Sequence, residues 1–252
     1  MRNHGKFFLI ILCALLAFSF GGCAKKPDER TAQQLSEDGG RHFEAGNYKK
    51  AIEAYKRLKD WYPYSPLARQ ALLRVADSHY HLEEYEDAIF GYEQYEHLYP
   101  NDPEIPYVIY QIGICHYERI RTIDRTQLPA RNALETFERL RSRFPASEFA
   151  EKAGPKIEEC LENLAGHDFY VGRFYYRSGH YKAAINRFKK VTDQYPDHLD
   201  VYERAFKYLA MAEEKLAEQE RSRDEAAQDA AREIPEAEKN RRLNMPGPYT
   251  GP

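Results

Sequence analysis

The sequence predicts an all-α fold in which about five helical hairpins stack side by side into a solenoid. Three observations predict it. First, four segments share one pattern: an Ala, an aromatic four residues later, an aromatic eleven later and a Pro twelve later. They are Ala51-Tyr55-Tyr62-Pro63, Ala88-Tyr92-Tyr99-Pro100, Ala133-Phe137-Phe144-Pro145 and Ala184-Phe188-Tyr195-Pro196. Second, small residues at Gly39, Ala76 and Gly113 precede the first three copies at intervals of 37. Third, the chain holds 20 Tyr and 13 Phe in 252 residues, an aromatic content too high for wholesale disorder.

The pattern has a physical reading. A small residue lets two helices approach closely, and an aromatic one turn further on the same face fills the gap. Proline cannot continue a helix, so each copy stops where its Pro stands. Gly46-Asn47 and Ser178-Gly179 mark turns between paired helices. A lone hairpin cannot cover its own apolar face, so hairpins stack. Burying one aromatic is worth at most about 4 kcal/mol, which accounts for much of the Tyr and Phe without any function.

The elements follow in order. Arg2 and Lys6 open the chain, and Phe7 to Phe20 carries no charge. As a helix that run rises only about 21 Å, short of a bilayer core, so residues 1–22 read as a removable export signal. Phe20-Gly21-Gly22-Cys23 resembles a bacterial lipobox, with Phe20 where Leu is usual. The resemblance implies a cleaved lipoprotein signal peptide and a covalent lipid on Cys23. The other reading is ordinary cleavage with Cys23 incidental. Lys25 resembles the residue that releases a lipoprotein to the outer membrane. About three acyl chains, at about 0.8 kcal/mol per buried methylene, would make the anchoring permanent.

Residues 23–32 form a polar tether. Repeat one spans Gln33–Pro63, repeat two Pro66–Pro100, and repeat three Glu104–Pro145 with an insertion around Ile120–Leu128. A long helical stretch, Ser147 to Ser178, leads into Gly179–Pro196, and a last helix runs from Leu199 to roughly Glu220. Repeats one and two occupy residues 33–103, and repeats three to five occupy 104–220. Residues 221–252 are a charged tail, expected to be partly disordered.

The residues exclude several function classes. A formal charge of −3 argues against a nucleic-acid partner. There is no GxSxG, P-loop, GxGxxG, HExxH or CxxC, so neither a catalytic site, a metal site nor a cofactor is expected beyond the lipid. His79-x-His81 would point to different sides of a helix, and His116 stands alone. Cys115 and Cys160 are expected as two buried small residues, with a disulfide as the alternative in an oxidising compartment.

The stretch GNYKKAIEAYKRLKDWYP, Gly46 to Pro63, is similar to the second half of the tetratricopeptide (TPR) repeat, and the likeness extends over about Gln33 to Glu214. In that family the first helix of each hairpin lines a concave groove. Carried onto this chain, the groove positions are Phe43, Gln70, Leu73, Tyr80, Tyr107, Tyr110, Ile114 and Tyr117. The resemblance implies a surface for a short extended segment bearing aromatic side chains. The alternative is that these aromatics pack between helices. The family's carboxylate clamp is not visible, because its places hold Ser36, Gly40, Leu73 and Asp77.

Three longer stretches narrow the likeness: YPYSPLARQALL (Tyr62–Leu73), DRTQLPARNALETFERLRSRFPASEFAEKA (Asp124–Ala153) and HDFYVGRFYYRSGHYKAAINRF (His167–Phe188). Together with the lipobox they resemble the BamD family, the TPR lipoproteins of the outer-membrane β-barrel assembly machinery. That resemblance implies a lipid-anchored scaffold on the periplasmic face of the outer membrane. Its implied partners are a BamA-type β-barrel insertase, docked by the carboxy-terminal repeats, and unfolded outer-membrane proteins, received by the amino-terminal repeats. Other assembly lipoproteins are further candidate partners. Arg187 matches a family arginine used at the insertase contact; the alternative is a solvated helix residue. Asp124, Arg125, Gln127 and Arg131 are typical of the family and either fix the insertion or face a partner. The repeats alone fit a second function equally, a TPR lipoprotein scaffold for other cell-envelope or cell-wall complexes.

Overall fold

The computed structural model describes residues 30–232. The signal peptide, Cys23 and most of the tether lie outside the described residues, as does the tail beyond Arg232. The described residues are helical and contain no strand: α1 Ala32–Glu44, α2 Tyr48–Trp61, α3 Pro66–His81, α4 Tyr85–Leu98, α5 Ile105–Tyr117, α6 Leu128–Arg143, α7 Glu148–Arg177, α8 Tyr181–Gln194 and α9 Leu199–Arg232. Among them no helix is long and apolar enough to cross a membrane. The chain forms two compact units, divided within α3 after Ala71.

In the first unit α1 pairs with α2. Thr31 starts α1 with a capping box: its Oγ1 accepts the Gln34 N–H at 3.2 Å, and Gln34 Oε1 accepts the Thr31 N–H at 2.9 Å. The two helices close because Gly39 has no side chain. A Cβ there would stand 2.7 Å from the Tyr55 ring. Leu35, Ala51, Ile52, Tyr55 and Leu58 are buried around this approach.

The second unit repeats the device. Gly113 faces Phe137 and Gly172 faces Phe188, each glycine with an aromatic ring where its Cβ would go. In repeat two the small pair is Ala76 and Gly91, and a Cβ on Gly91 would meet that of Ala76 at 2.9 Å. Consecutive helices pack in chain order from α4 to α9, and α5 with α7 and α7 with α9 also touch. The buried interior runs from Leu72, Tyr92, Ile109 and Phe137 through Cys160 to Phe169, Phe188 and Ala205.

Each aromatic-Pro pair ends a helix in one way. Tyr62, Tyr99, Phe144 and Tyr195 take φ between −136° and −129° and ψ between 50° and 57°. Their N–H groups still reach the carbonyl four residues back, at 2.9–3.0 Å. The next residue is Pro, which has no N–H to continue the ladder. The turns inside the hairpins also correspond: Gly46, Glu83 and Gly179 occupy left-handed backbone at φ 71°, 59° and 73°. Glycine takes that conformation freely, and Glu83 does so against its Cβ.

Repeat three has no such turn. The predicted insertion forms a loop from Glu118 to Gln127, held by the buried Gln127, whose Nε2 donates to Arg125 O at 2.9 Å and Thr122 O at 3.3 Å. His167 Nδ1 meets Ile123 O at 2.6 Å and ties the loop to α7. The last helix runs past the expected Glu220 to Arg232. Residues 217–232 are exposed throughout, and their Ala, Glu, Gln and Arg content sustains the helix by propensity.

Candidate functional site

The structure distributes the expected groove residues over both units. In the first, Phe43 is half-buried with its ring edge-on to Tyr48 at 5.4 Å, and Gln70 is exposed on α3. In the second, Leu73 and Ile114 are each only 8% exposed and belong to the apolar core. They therefore pack the hairpins and offer little to a ligand. Tyr80 rests against Tyr85, with ring centroids 6.1 Å apart. Tyr110 packs on Phe137 and Phe149 at 5.9 and 5.6 Å. Tyr117 carries the Lys156 ammonium 4.1 Å from its ring centre, and its hydroxyl donates to Glu159.

Tyr107 is tied to a buried carboxylate, Asp77, at one of the places where the TPR clamp is missing. Asp77 is 4% exposed, and its Oδ1 accepts the hydroxyls of Tyr92 and Tyr107, each at 2.8 Å. Arg74 Nη1 lies 3.4 Å from Oδ2. Burial raises the Asp77 pKa, against the opposing pull of Tyr107, Tyr92 and Arg74. Asp77 stands on α3, Tyr92 on α4 and Tyr107 on α5, so this bond set fixes three helices in register.

Arg187, on α8, is 2.8 Å from Asp168 Oδ1, and Lys190 Nζ is 2.7 Å from the other oxygen. The Asp168 side chain is 4% exposed, while both cations are about 40% exposed. One buried carboxylate thus orients two cations, and the group presents an excess positive charge to solvent. The guanidinium uses one edge on Asp168 and keeps further donors for an outside acceptor.

Asp124 accepts from Thr122 Oγ1 inside the insertion, while Arg131 is exposed. Cys115 and Cys160 are free and buried, and burial pushes both thiols up to about 12, so neither is a nucleophile at neutral pH. His79, Glu84 and Asp87 bring three possible metal-ligand atoms within 4.8 Å of one another. His79 Nδ1 and Glu84 Oε2 already bond at 2.7 Å, which makes the pair a clasp across the α3–α4 turn.

The paired helices and the close glycine-aromatic seams define a helical-repeat protein. The profile of a family described as outer membrane lipoprotein (YfiO) matches residues 28–228. The chain is 31% identical over 199 residues to the outer membrane protein assembly factor BamD of Caulobacter vibrioides, covering 76% of this chain and 65% of the relative. It thus spans just under two thirds of that relative's length. The BamD of Pasteurella multocida is 28% identical over 253 residues, covering 96% of this chain and 94% of the relative. Among solved structures, a TPR protein of Thermus thermophilus is similar at 16% identity and a TM-score of 0.39, covering 71% of this chain and all (100%) of that one. The chain belongs to the BamD family of outer-membrane lipoproteins, which are scaffolds and not enzymes.

Proposed function

We propose that this lipoprotein is an adaptor in the assembly of outer-membrane β-barrels. Family membership supports the reading, since its relatives carry the name outer membrane protein assembly factor. A lipid on Cys23 holds the body at the periplasmic face of the outer membrane. A BamA-type insertase docks at the carboxy-terminal repeats around Arg187. Unfolded outer-membrane proteins meet the half-open aromatics Phe43 and Tyr80 of the first two repeats and Tyr110 and Tyr117 on the first helix of repeat three. Tethering raises the effective concentration of these partners for one another without new contacts. Other assembly lipoproteins join the same scaffold.

The observation that carries the reading is the Asp168-anchored pair of Arg187 and Lys190. It is a rigidly based cationic surface suited to a partner carboxylate. The test is copurification of the lipidated chain from native membranes. The wild type is expected to bring down a membrane β-barrel protein. Arg187→Gln, which removes the charge and leaves Lys190 on Asp168, should lose much of that protein while keeping its helical spectrum. Recovery of cell-wall enzymes without any barrel protein would favour the envelope-scaffold reading instead.

A further inference from the structure

The second unit holds a side-chain pocket that lies apart from the Arg187 surface and most of the aromatic positions. It opens between α7 and the start of α9, beside the repeat-three insertion, with a volume of about 380 Å³. A neighbouring cavity of about 580 Å³ under Tyr117 shares Glu159 and Asn163 with it. Ile123, Phe169 and Val201 supply apolar walls. The insertion forms one side because Gly166 leaves room for Ile123, whose Cγ2 would stand 3.3 Å from a Cβ at that glycine.

The polar groups of the wall are mostly acceptors. Glu159 and Glu162 lie three residues apart on α7, on one helix face, where two like charges repel. Glu159 is partly answered by Tyr117 and by Lys156, whose Nζ is 3.3 Å away. Glu162 makes no ion pair or hydrogen bond among the described residues. Asn163 Oδ1 is shut from solvent and has no donor, although its amide nitrogen reaches Arg121 O at 3.4 Å. Asp200 adds a third carboxylate, paired with Arg204 at 2.9 Å. Arg204 in turn lies 4.6 Å over the Phe169 ring, so it is already engaged on both sides. Counting Glu118 and Arg121 from the neighbouring cavity, four carboxylates face two guanidiniums and the Lys156 ammonium, an excess of one negative charge.

We propose that this pocket binds a single arginine or lysine side chain presented on an extended segment of a protein partner. The apolar walls suit the methylene stem of such a side chain, and the unpaired Glu162 carboxylate beside Glu159 suits its donor-only head. A cation between Glu159 and Glu162 removes their mutual repulsion. The volume admits one side chain and no folded surface. The pocket lies where α7 and α9, first helices of successive hairpins, touch, so a segment laid along that face passes its mouth.

The test uses the mature chain and two short blocked peptides, one with a central Arg between Leu residues and one with citrulline in its place. Citrulline keeps the shape and removes the charge. Binding is followed by amide chemical shifts at Ile123 and Gly166. The expected result is saturable binding of the Arg peptide, at least about 10-fold tighter than the citrulline peptide. Glu162→Gln should weaken the Arg peptide by a similar factor, while Glu220→Gln, in the exposed later part of α9, should not. High salt should weaken it as well. Equal binding of the two peptides, unchanged binding in Glu162→Gln, or no saturable shift at these amides would overturn the proposal. Arg187→Ala separates the two readings: it should lose the insertase in copurification and keep the Arg peptide.

Discussion

The ring of Phe188 occupies the space in which a side chain at Gly172 would have to grow; a Cβ there would stand 2.6 Å from the ring. The same relation joins Gly39 to Tyr55 and Gly113 to Phe137. Any residue larger than glycine forces the ring or the helix to move. Gly172→Ala and Gly113→Ala are each expected to destabilise the second unit by about 2–3 kcal/mol, despite the better helix propensity of Ala. Urea denaturation followed by circular dichroism measures this. A gain in stability in either variant would contradict the seam.

Glu83 sits where the other two hairpin turns use glycine, at φ 59°. Glu83→Gly should release about 1 kcal/mol of backbone strain, offset in part by the greater freedom of an unfolded glycine. The expected net effect is a modest rise in melting temperature. Gly179→Ala should lower it.

Asp77 gives a pH signature. Burial raises its folded-state pKa, so the native state takes up a proton more readily than the unfolded chain. Its contribution is fully present below the unfolded value and is lost as pH rises through the folded one. Asp77→Asn keeps an acceptor for Tyr92 and Tyr107 and removes the buried charge. It should match or exceed the wild type at neutral pH and flatten this part of the profile. Asp77→Ala leaves two hydroxyls without an acceptor and should cost about 2–4 kcal/mol.

Glu96 acts in the opposite sense. It lies 2.6 Å from Arg139 and 2.5 Å from Arg143, linking α4 to α6. Burial works to raise its pKa, but the two guanidiniums outweigh it and hold the carboxyl below its usual range. Its stabilisation is therefore present above the unfolded value and lost as pH falls through the folded one. Glu96→Gln should cost no more than about 1–2 kcal/mol, because both arginines are over a third open to water. The loss relative to wild type should vanish in acid, which a denaturation series across pH would measure.

The hairpins were legible because their signals are local. Ala, aromatic and Pro fall within one helix, so the helix ends at Tyr62, Tyr99, Phe144 and Tyr195 could be read directly. The fourth small anchor, Gly172, was not read. It stands sixteen residues before its aromatic, as Gly39 and Ala76 do, but the insertion and the long helix α7 separate it from Gly113 by 59 residues, so the interval of 37 does not reach it. The carried-over groove positions identified the right helices but not which side chains stay open. Leu73 and Ile114 turned into the core, and Tyr107 is held by Asp77. Asp168 and the pocket between α7 and α9 depend on residues brought together from separate helices, which no local spacing encodes.

The exposed run at the end of α9, residues 217–232, extends about 24 Å and holds no Leu, Ile, Val, Phe or Met. Without an oily stripe it has nothing to zip against another helix. Whatever meets this rod must recognise it by its ordered ladder of opposite charges, and such an embrace would loosen with ionic strength and be easily exchanged.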